Sequence, residues 1–402
     1  MDFTFTLLWT DAVFFLLIIA VLTWSLWPNH KSHQAWRTVW CSRMGMSCAV
    51  VLFSYVFIAL LDSIHLQINN TVQLYSVLDL ILSPLDMPLE TTYLPPFYNA
   101  NLPAIFSIII KTLPLILFIN IMSISVIYLL KPNICRVTFL ITFGIMTFIW
   151  ISLYALSREY HIFGTDKIGQ DVFYQAVKSI RTGVLIGTLT TMVMLPFALL
   201  LGTMAGYFRG VIDDVIQYIY TTLSSIPSVL LIAAMVLMLE VFMGNHPQWF
   251  ASNAARADAR LFALCAILGI TSWTSLCRLV RAETLKLREQ EYVMAAKSLG
   301  VSHMGIILQH ILPNLMHIIL ITIVLDFSGL VLAEAVLSYI GVGVDPTMQS
   351  FGNMINSARL ELAREPVVWW SLTAAFIFMF VLVLAANLFA DVVRDALDPK
   401  LQ

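Results

Sequence analysis

The chain has 402 residues, 59% of them hydrophobic and only 11% charged, with a net charge of −2. A soluble domain carries roughly 25% charged residues, so these charges cannot cover a water-facing surface of this size and the apolar residues must face lipid. A net charge so close to zero also offers no bulk attraction for nucleic acid.

Nine apolar segments are long enough to cross a bilayer core of about 30 Å: residues 7–27, 44–61, 109–130, 137–156, 183–206, 217–242, 261–279, 314–340 and 368–390. Hydrocarbon obliges each segment to satisfy its own backbone, so helices are expected throughout. The predicted fold class is all-α and polytopic. Asp2 follows Met1, and Asp11 precedes the first apolar run with no basic stretch before it, so that run is expected to be a retained span rather than a secretory leader. The connection 62–102 holds no Lys or Arg and is broken by Pro84, Pro88, Pro95 and Pro96; it is expected to be an irregular external loop.

Thirteen Lys and Arg residues fall on one side of this layout, among them Arg37, Arg43, Arg281, Arg288 and Lys297. Eight fall on the other, among them Arg158, Lys167, Arg256 and Arg359. The positive-inside bias makes the first side cytoplasmic, with the N-terminus outside and the C-terminus inside. Trp369 and Trp370 suit an outer aromatic belt, and Trp36 with Trp40 an inner one. Gly183 with Gly187, and Gly202 with Gly206, are small-xxx-small pairs that let helices approach closely.

Five cysteines (Cys41, Cys48, Cys135, Cys265 and Cys277) include no Cys-x-x-Cys pair, so neither a disulfide framework nor a zinc site is indicated. His310 and His317 share a helical stripe, a pattern that packing explains more simply than metal. Neither a Gly-x-x-x-x-Gly-Lys-Ser/Thr loop nor Gly-x-Gly-x-x-Gly occurs, so the chain is not expected to hydrolyse ATP or to be an enzyme. Within the spans, Asp326 and Glu334 lie two i+4 steps apart. Carboxylates are costly in lipid, and these two either line a translocation path or are buried, hydrogen-bonded structural groups.

Residues 281–313 form the longest internal connection on the cytoplasmic side. From Arg288 to Leu299 the run lacks Gly and Pro and favours helix. Tyr292, Ala296 and Gly300 fall on one face at i, i+4 and i+8, with Ala295 and Leu299 beside them. Gly300 can end this helix, Ser302 can cap a second, and Pro313 suits the first turn of the next span. This is either a lever exposed to a soluble partner or an amphipathic loop lying on the membrane.

Here a resemblance becomes specific. Glu291-Tyr292-Val293-Met294-Ala295-Ala296-Lys297-Ser298-Leu299-Gly300, followed by Leu312-Pro313, resembles the EAA loop of ABC-importer permeases. Gly164-Thr165-Asp166 with Gly169 and Asp171 is similar to the external signature of oligopeptide, dipeptide and nickel importers. Glu334 to Gly341 and Arg394 to Pro399 resemble a helix and the tail of the same group. The chain departs from the pattern at Met294 (for Glu), at Gln170 (for Arg), and at Tyr218 and Thr221, where Arg and Asp are usual. By bland physics, Thr165, Asp166 and Asp171 are good helix-capping residues, so the external motif either fixes an interfacial helix at 171–180 or meets substrate.

The resemblance, to the C-type inner-membrane permeases of that family, covers residues 137–402. It implies a six-helix permease domain there, preceded by an accessory region, 1–136, with about three further spans. It further implies that the 281–313 loop couples to an ATPase through Glu291, Tyr292, Ala295, Ala296, Gly300, Leu312 and Pro313. The implied partners are a second, B-type permease, two ATPase subunits that bind ATP and Mg²⁺, and an external solute-binding protein. No cofactor is implied in this chain, and the setting is a bacterial inner membrane. Peptides are the implied cargo. A nickel or other small-solute permease of the same machinery is the alternative within the family. A transporter or scaffold needing no ATPase is the alternative outside it; that reading calls for internal repeats, and none is found.

Overall fold

In the computed structural model, residues 3–6, 8–26, 30–68, 74–82, 92–130, 135–250 and 252–397 are described. Their backbone is satisfied almost entirely within helices: α1 (Trp9–Leu26), α2 (His30–Cys41), α3 (Arg43–Ser63), α4 (Val77–Leu82), α5 (Leu102–Leu130), α6 (Arg136–Ser157), α7 (Val172–Phe208), α8 (Gly210–Ser225), α9 (Ser228–Asn245), α10 (Asn253–Arg288), α11 (Glu291–Ser298), α12 (His303–Ile306), α13 (Leu312–Ile340), α14 (Phe351–Glu361) and α15 (Trp370–Leu397). Eight of these, α3, α5, α6, α7, α9, α10, α13 and α15, are long and apolar enough to cross a membrane, and α1 adds the shorter apolar stretch Trp9–Ala20. The protein is an all-α polytopic membrane protein.

Local chemistry moves several boundaries away from the expected ones. The span expected at 217–242 is two helices, because Pro227 lacks an N–H and forces Ile226 into an extended conformation (φ −88°, ψ 130°). The span expected from 183 begins at Val172: Asp171 caps α7 by accepting from the amides of Phe173 and Tyr174, so residues 171–180 form the first turns of a 37-residue helix rather than a separate interfacial one. The span expected from 109 begins at Leu102, with Pro103 in its first turn.

A small antiparallel sheet, β1 (Phe3–Thr6), β2 (His65–Ile68) and β3 (Leu74–Ser76), was not anticipated. Its register pairs Phe3 with Ile68 and Thr6 with His65, which puts the start of the chain on the same side as the 62–102 connection. Residues 69–73 and 83–91 of that connection, with Pro84 and Pro88, lie outside the described residues, as do Asp398 and Pro399.

The spine of the bundle is the α7–α10 pair. A Cβ added at Gly202 would meet Val280 and the Cys277 carbonyl at 2.8–2.9 Å, and one at Gly206 would meet Thr284 and the Arg281 carbonyl at 2.6–2.8 Å. Gly269 makes the reciprocal approach from α10 against Val193 and Thr190. The backbones therefore touch where side chains would hold them apart. Gly183 and Gly187 face Phe351 and Phe327 instead, admitting α14 and α13. Besides a small cluster joining α2 and α15 through Val39, Val393 and Ala396, the core around this spine splits along the helices into two large clusters. One joins α1, α3, α7, α10 and α15 through Phe14, Tyr55, Ile180, Leu264 and Phe378. The other gathers Tyr207, Ile216, Trp273, Val280, Val293 and Ile311 at the opposite end. Helix α6 packs chiefly on α5 and α3, with Trp150 reaching Phe378 of α15 at 6.1 Å between ring centroids.

Buried charges join the N-terminal helices to α7. Arg181 donates to Asp11 of α1 from Nε (3.1 Å) and Nη2 (2.7 Å), and His65 Nδ1 lies 3.2 Å from the other Asp11 oxygen. One turn away, Lys178 donates to Asp79 at 2.6 Å and lies 3.8 Å from Asp62. Tyr174 donates to Asp79 at 2.6 Å, and Ser76 donates its hydroxyl to Asp62 at 2.6 Å and its amide to Asp79 at 2.9 Å. Thr10 completes the set by donating to Asp258 of α10. Burial alone would push Asp79 up, but the Lys178 ammonium and these hydrogen bonds hold it below the usual carboxylate range.

Removing one member of such a pair leaves the other charged and buried. Arg181→Ala is expected to destabilise by about 3–5 kcal/mol, whereas an apolar replacement of both partners, Arg181→Met with Asp11→Leu, is expected to lose much less. Thermal unfolding of the three detergent-solubilised proteins checks the difference.

Candidate functional site

At one end of the bundle, residues 161–171 fold into a pinned corner. Gly164 has φ +68° and Gly169 φ +83°, left-handed turns that suit glycine. Asp166 Oδ1 accepts from the amides of Ile168 (2.8 Å) and Gln170 (2.9 Å), and its Oδ2 accepts from Gln175 Nε2 at 2.7 Å. Asp171 caps α7 and holds His161 Nδ1 at 2.9 Å. Thr165 is buried: its hydroxyl accepts from the Leu94 amide at 2.9 Å and its carbonyl accepts from Trp370 Nε1 at 2.9 Å. Trp370 therefore does not join an outer aromatic belt with the exposed Trp369; it pins this corner. The 92–101 strap crosses on top, with Tyr93 and Phe97 donating amides to the carbonyls of Asp166 and His161.

The two intramembrane carboxylates have different surroundings. Glu334 is 0% exposed and accepts from Ser338 at 2.7 Å. Ser338 also accepts from the Val344 amide at 3.2 Å, so Glu334 belongs to the folded turn after α13. Asp326 is part-buried; among the described residues neither its Oδ2 nor the second oxygen of Glu334, Oε2, finds a donor. Among the described residues no group of three His, Cys, Asp or Glu is placed to hold a metal ion. His310 lies beside Tyr292 at 6.4 Å between ring centroids; the side chain of His317 lies outside the described residues.

At the opposite end, α10 continues to Arg288, and the expected helix across 288–299 is the shorter α11. Gly300 ends the following turn at φ +78°. Ser302 caps α12 by accepting from the Gly305 amide, and a π-helical turn, Ile307–Ile311, leads into α13 with Pro313 in its first turn. Wider turns of this kind accumulate at functional sites. The inner face of α11 is Val293 and Ala296, which is 7% exposed, in contact with the cluster of Ile306, Ile311 and Tyr207. Ala296 thus faces its own protein rather than outward with Tyr292 and Gly300, as helical spacing had implied. The outward face is Glu291, Tyr292, Met294, Ala295 and Leu299, the last 84% exposed. Asn314 ties this helix to α13, donating to the Tyr292 hydroxyl at 3.0 Å and to the His310 carbonyl at 2.7 Å. Leu312 is part-buried against the same cluster.

The neighbouring helix ends are clamped as well. Arg281 grips Asp213 of α8 through two hydrogen bonds of 2.5 and 2.7 Å, and Arg288 donates to the Tyr207 carbonyl at 2.8 Å. The Tyr207 hydroxyl and His303 Nδ1 are 2.8 Å apart. Between α7 and α8 the chain reverses at Arg209 (φ 58°, ψ −169°), whose guanidinium holds Glu289 at 2.6 Å. Sequence reasoning missed these clamps, and the spacing of Asp213 and Arg281 along the chain gives no signal of their meeting. The missing family charges at Tyr218 and Thr221 lie on exposed positions of α8.

A membrane-crossing helical bundle with a short, outward-facing helix held at one end is the architecture of a transport permease. The chain belongs to the family of binding-protein-dependent transport system inner membrane components, which it matches over residues 198–402. Among relatives, it is 32% identical over 242 residues to the oligopeptide transport system permease protein OppC of Bacillus subtilis, covering 60% of this chain and 72% of that one. It is 35% identical over 242 residues to the dipeptide transport system permease protein DppC of Alkalihalophilus pseudofirmus, covering 60% and 73%. It is 32% identical over 239 residues to OppC of Mycobacterium tuberculosis, covering 60% and 76%.

Two expectations follow from this geometry. A Cβ at Gly164 would collide with the Leu94 carbonyl, so Gly164→Ala is expected to lift the strap, read as faster proteolysis within residues 92–101. Hydrogen bonds from Arg281 hold Asp213 below the usual carboxylate range, against the opposing effect of burial. With the folded pKa depressed, the pair's stabilisation is present above the unfolded carboxylate value of about 3.9 and is lost as pH falls through the folded value. The unfolding temperature is expected to fall more steeply below about pH 4 in the native protein than in Asp213→Asn.

Proposed function

We propose that this chain is one of the two different permease subunits of an ATP-driven importer for di- or oligopeptides, working by alternating access. Partner ATPase subunits bind ATP and Mg²⁺, and an external solute-binding protein delivers cargo on the side of the 92–101 strap. In this reading the 62–102 connection is external and the α11 end is cytoplasmic, following the distribution of Lys and Arg. Residues 1–136 act as an accessory region to the permease domain, 137–402. The names of the relatives, which specify oligopeptide and dipeptide permeases, support peptides as cargo.

The observation that carries the reading is α11 itself. A short helix with Leu299 and Met294 exposed and Ala295 between them offers a small-centred apolar face on the end opposite the strap. Its inner face is packed into the cluster that joins α7, α8, α10 and α13. Closure of an ATPase pair against this face moves those helix ends together, because the connection is contiguous packed protein.

Ala295→Arg and Leu299→Asp change only the exposed face, whereas Ala296→Arg would disturb the fold. Both exposed-face variants are expected to stay in the membrane while losing copurified ATPase and peptide uptake. Retention of ATPase and of uptake in both would refute the docking role.

A further inference from the structure

The break between α8 and α9 opens a cavity of about 320 Å³. Ser224, Ser225, Ser228, Thr271 and Thr274 contribute five hydroxyls to its wall, and among the described residues no charged side chain lines it. Thr271 lies near the middle of α10, the 36-residue partner in the spine, and Ser224, Ser225 and Ser228 are exposed, so the cavity opens on the side of the bundle at mid-span. Hydroxyls at such a depth require partners.

Two of these hydroxyls have their protons engaged on backbone carbonyls. Thr271 donates to the Ile267 carbonyl at 2.9 Å, and Ser225 donates to the Thr222 carbonyl at 2.7 Å, which leaves their oxygens as acceptors. Ser224 and Thr274 are 3.5 Å apart. On the other wall, α9 starts behind Pro227 with no side-chain cap; Leu230 and Leu231 donate their amides to the Pro227 carbonyl, which leaves the amides of Ser228 and Val229, among the described residues, as donors without an intrahelical partner. Acceptors and donors therefore stand together at a helix break, with no charge among them. Broken helices of this kind form solute sites in transporters.

We infer that this cavity is a contact site for the main chain of the translocated peptide. An extended peptide alternates N–H and C=O, which the hydroxyl oxygens and the α9 amides complement without regard to side-chain identity. A divalent cation would call for carboxylate or imidazole ligands, which the cavity lacks. The assignment rests on the peptide-importer reading above.

The test uses the assembled importer in vesicles, with trialanine delivered at saturating binding protein. Thr271→Val with Ser225→Ala is expected to slow uptake about tenfold with the ATPase still bound, while Thr271→Ser, which keeps the hydroxyl, transports normally. In Ser225→Cys, alkylation by N-ethylmaleimide, quantified at position 225 by mass spectrometry, is expected to slow severalfold when trialanine is being transported. Uptake unchanged in the double variant, equal losses in Thr271→Val and Thr271→Ser, or alkylation indifferent to trialanine would each overturn the site. Absence of copurified ATPase from the native complex, or no uptake of any peptide by it, would instead refute the importer reading.

Discussion

Close contact between α7 and α10 is the constraint on which the other arrangements depend. Gly202 and Gly206 on one helix and Gly269 on the other let the two backbones meet between residues 190–206 and 269–284. In lipid, apolar burial gives helices little reason to associate, so this contact relies on dispersion and fit. Once the pair is formed, one of its ends carries Lys178, Arg181 and Asp258, and the other carries Arg281 and Arg288. Each set recruits a different part of the chain: the N-terminal helices at the first end, and α8 with the short helices at the second.

The charges at the first end change how the N-terminal region is understood. Three carboxylates, Asp11, Asp62 and Asp79, meet two cations on α7, and the strap at 92–101 lies hydrogen-bonded over the Gly164 corner. An appendage held only by apolar contact could slide in the membrane. A region whose aspartates neutralise the cations of α7 cannot leave without exposing bare charge to a medium of low dielectric. In mechanical terms it travels with α7, while α11 addresses the opposite end.

Much of the plan was legible in the sequence, because hydropathy runs report membrane helices directly. Gly300, Ser302 and Pro313 marked their turns correctly, since each acts through its own backbone or its nearest neighbours. What stayed hidden depended on tertiary partners. The register of α11 could be read, but which of its faces turned inward could not, because that choice is made by Ile306, Ile311 and Tyr207. Trp370 passed for an interfacial anchor because its partner, the Thr165 carbonyl, lies 205 residues away. The division of 217–242 had local signals in Pro227 and in the hydroxyls of Thr221, Thr222, Ser224, Ser225 and Ser228 around it, overridden by the strongly apolar run that starts at Val229.

The reversal at Arg209 and Gly210 has a consequence for how the two helices it joins respond to load. Arg209 adopts a backbone conformation (φ 58°, ψ −169°) that few residues other than glycine occupy, at a cost of about 1–3 kcal/mol, and Gly210 follows at φ 59°. No residue separates α7 from α8 other than this corner, so there is no slack to absorb displacement. A shift of the last turn of α7 is handed to the first turn of α8 as rotation about a tight elbow, and the broken span beyond it, with its polar gap at Pro227, inherits that rotation at the next joint.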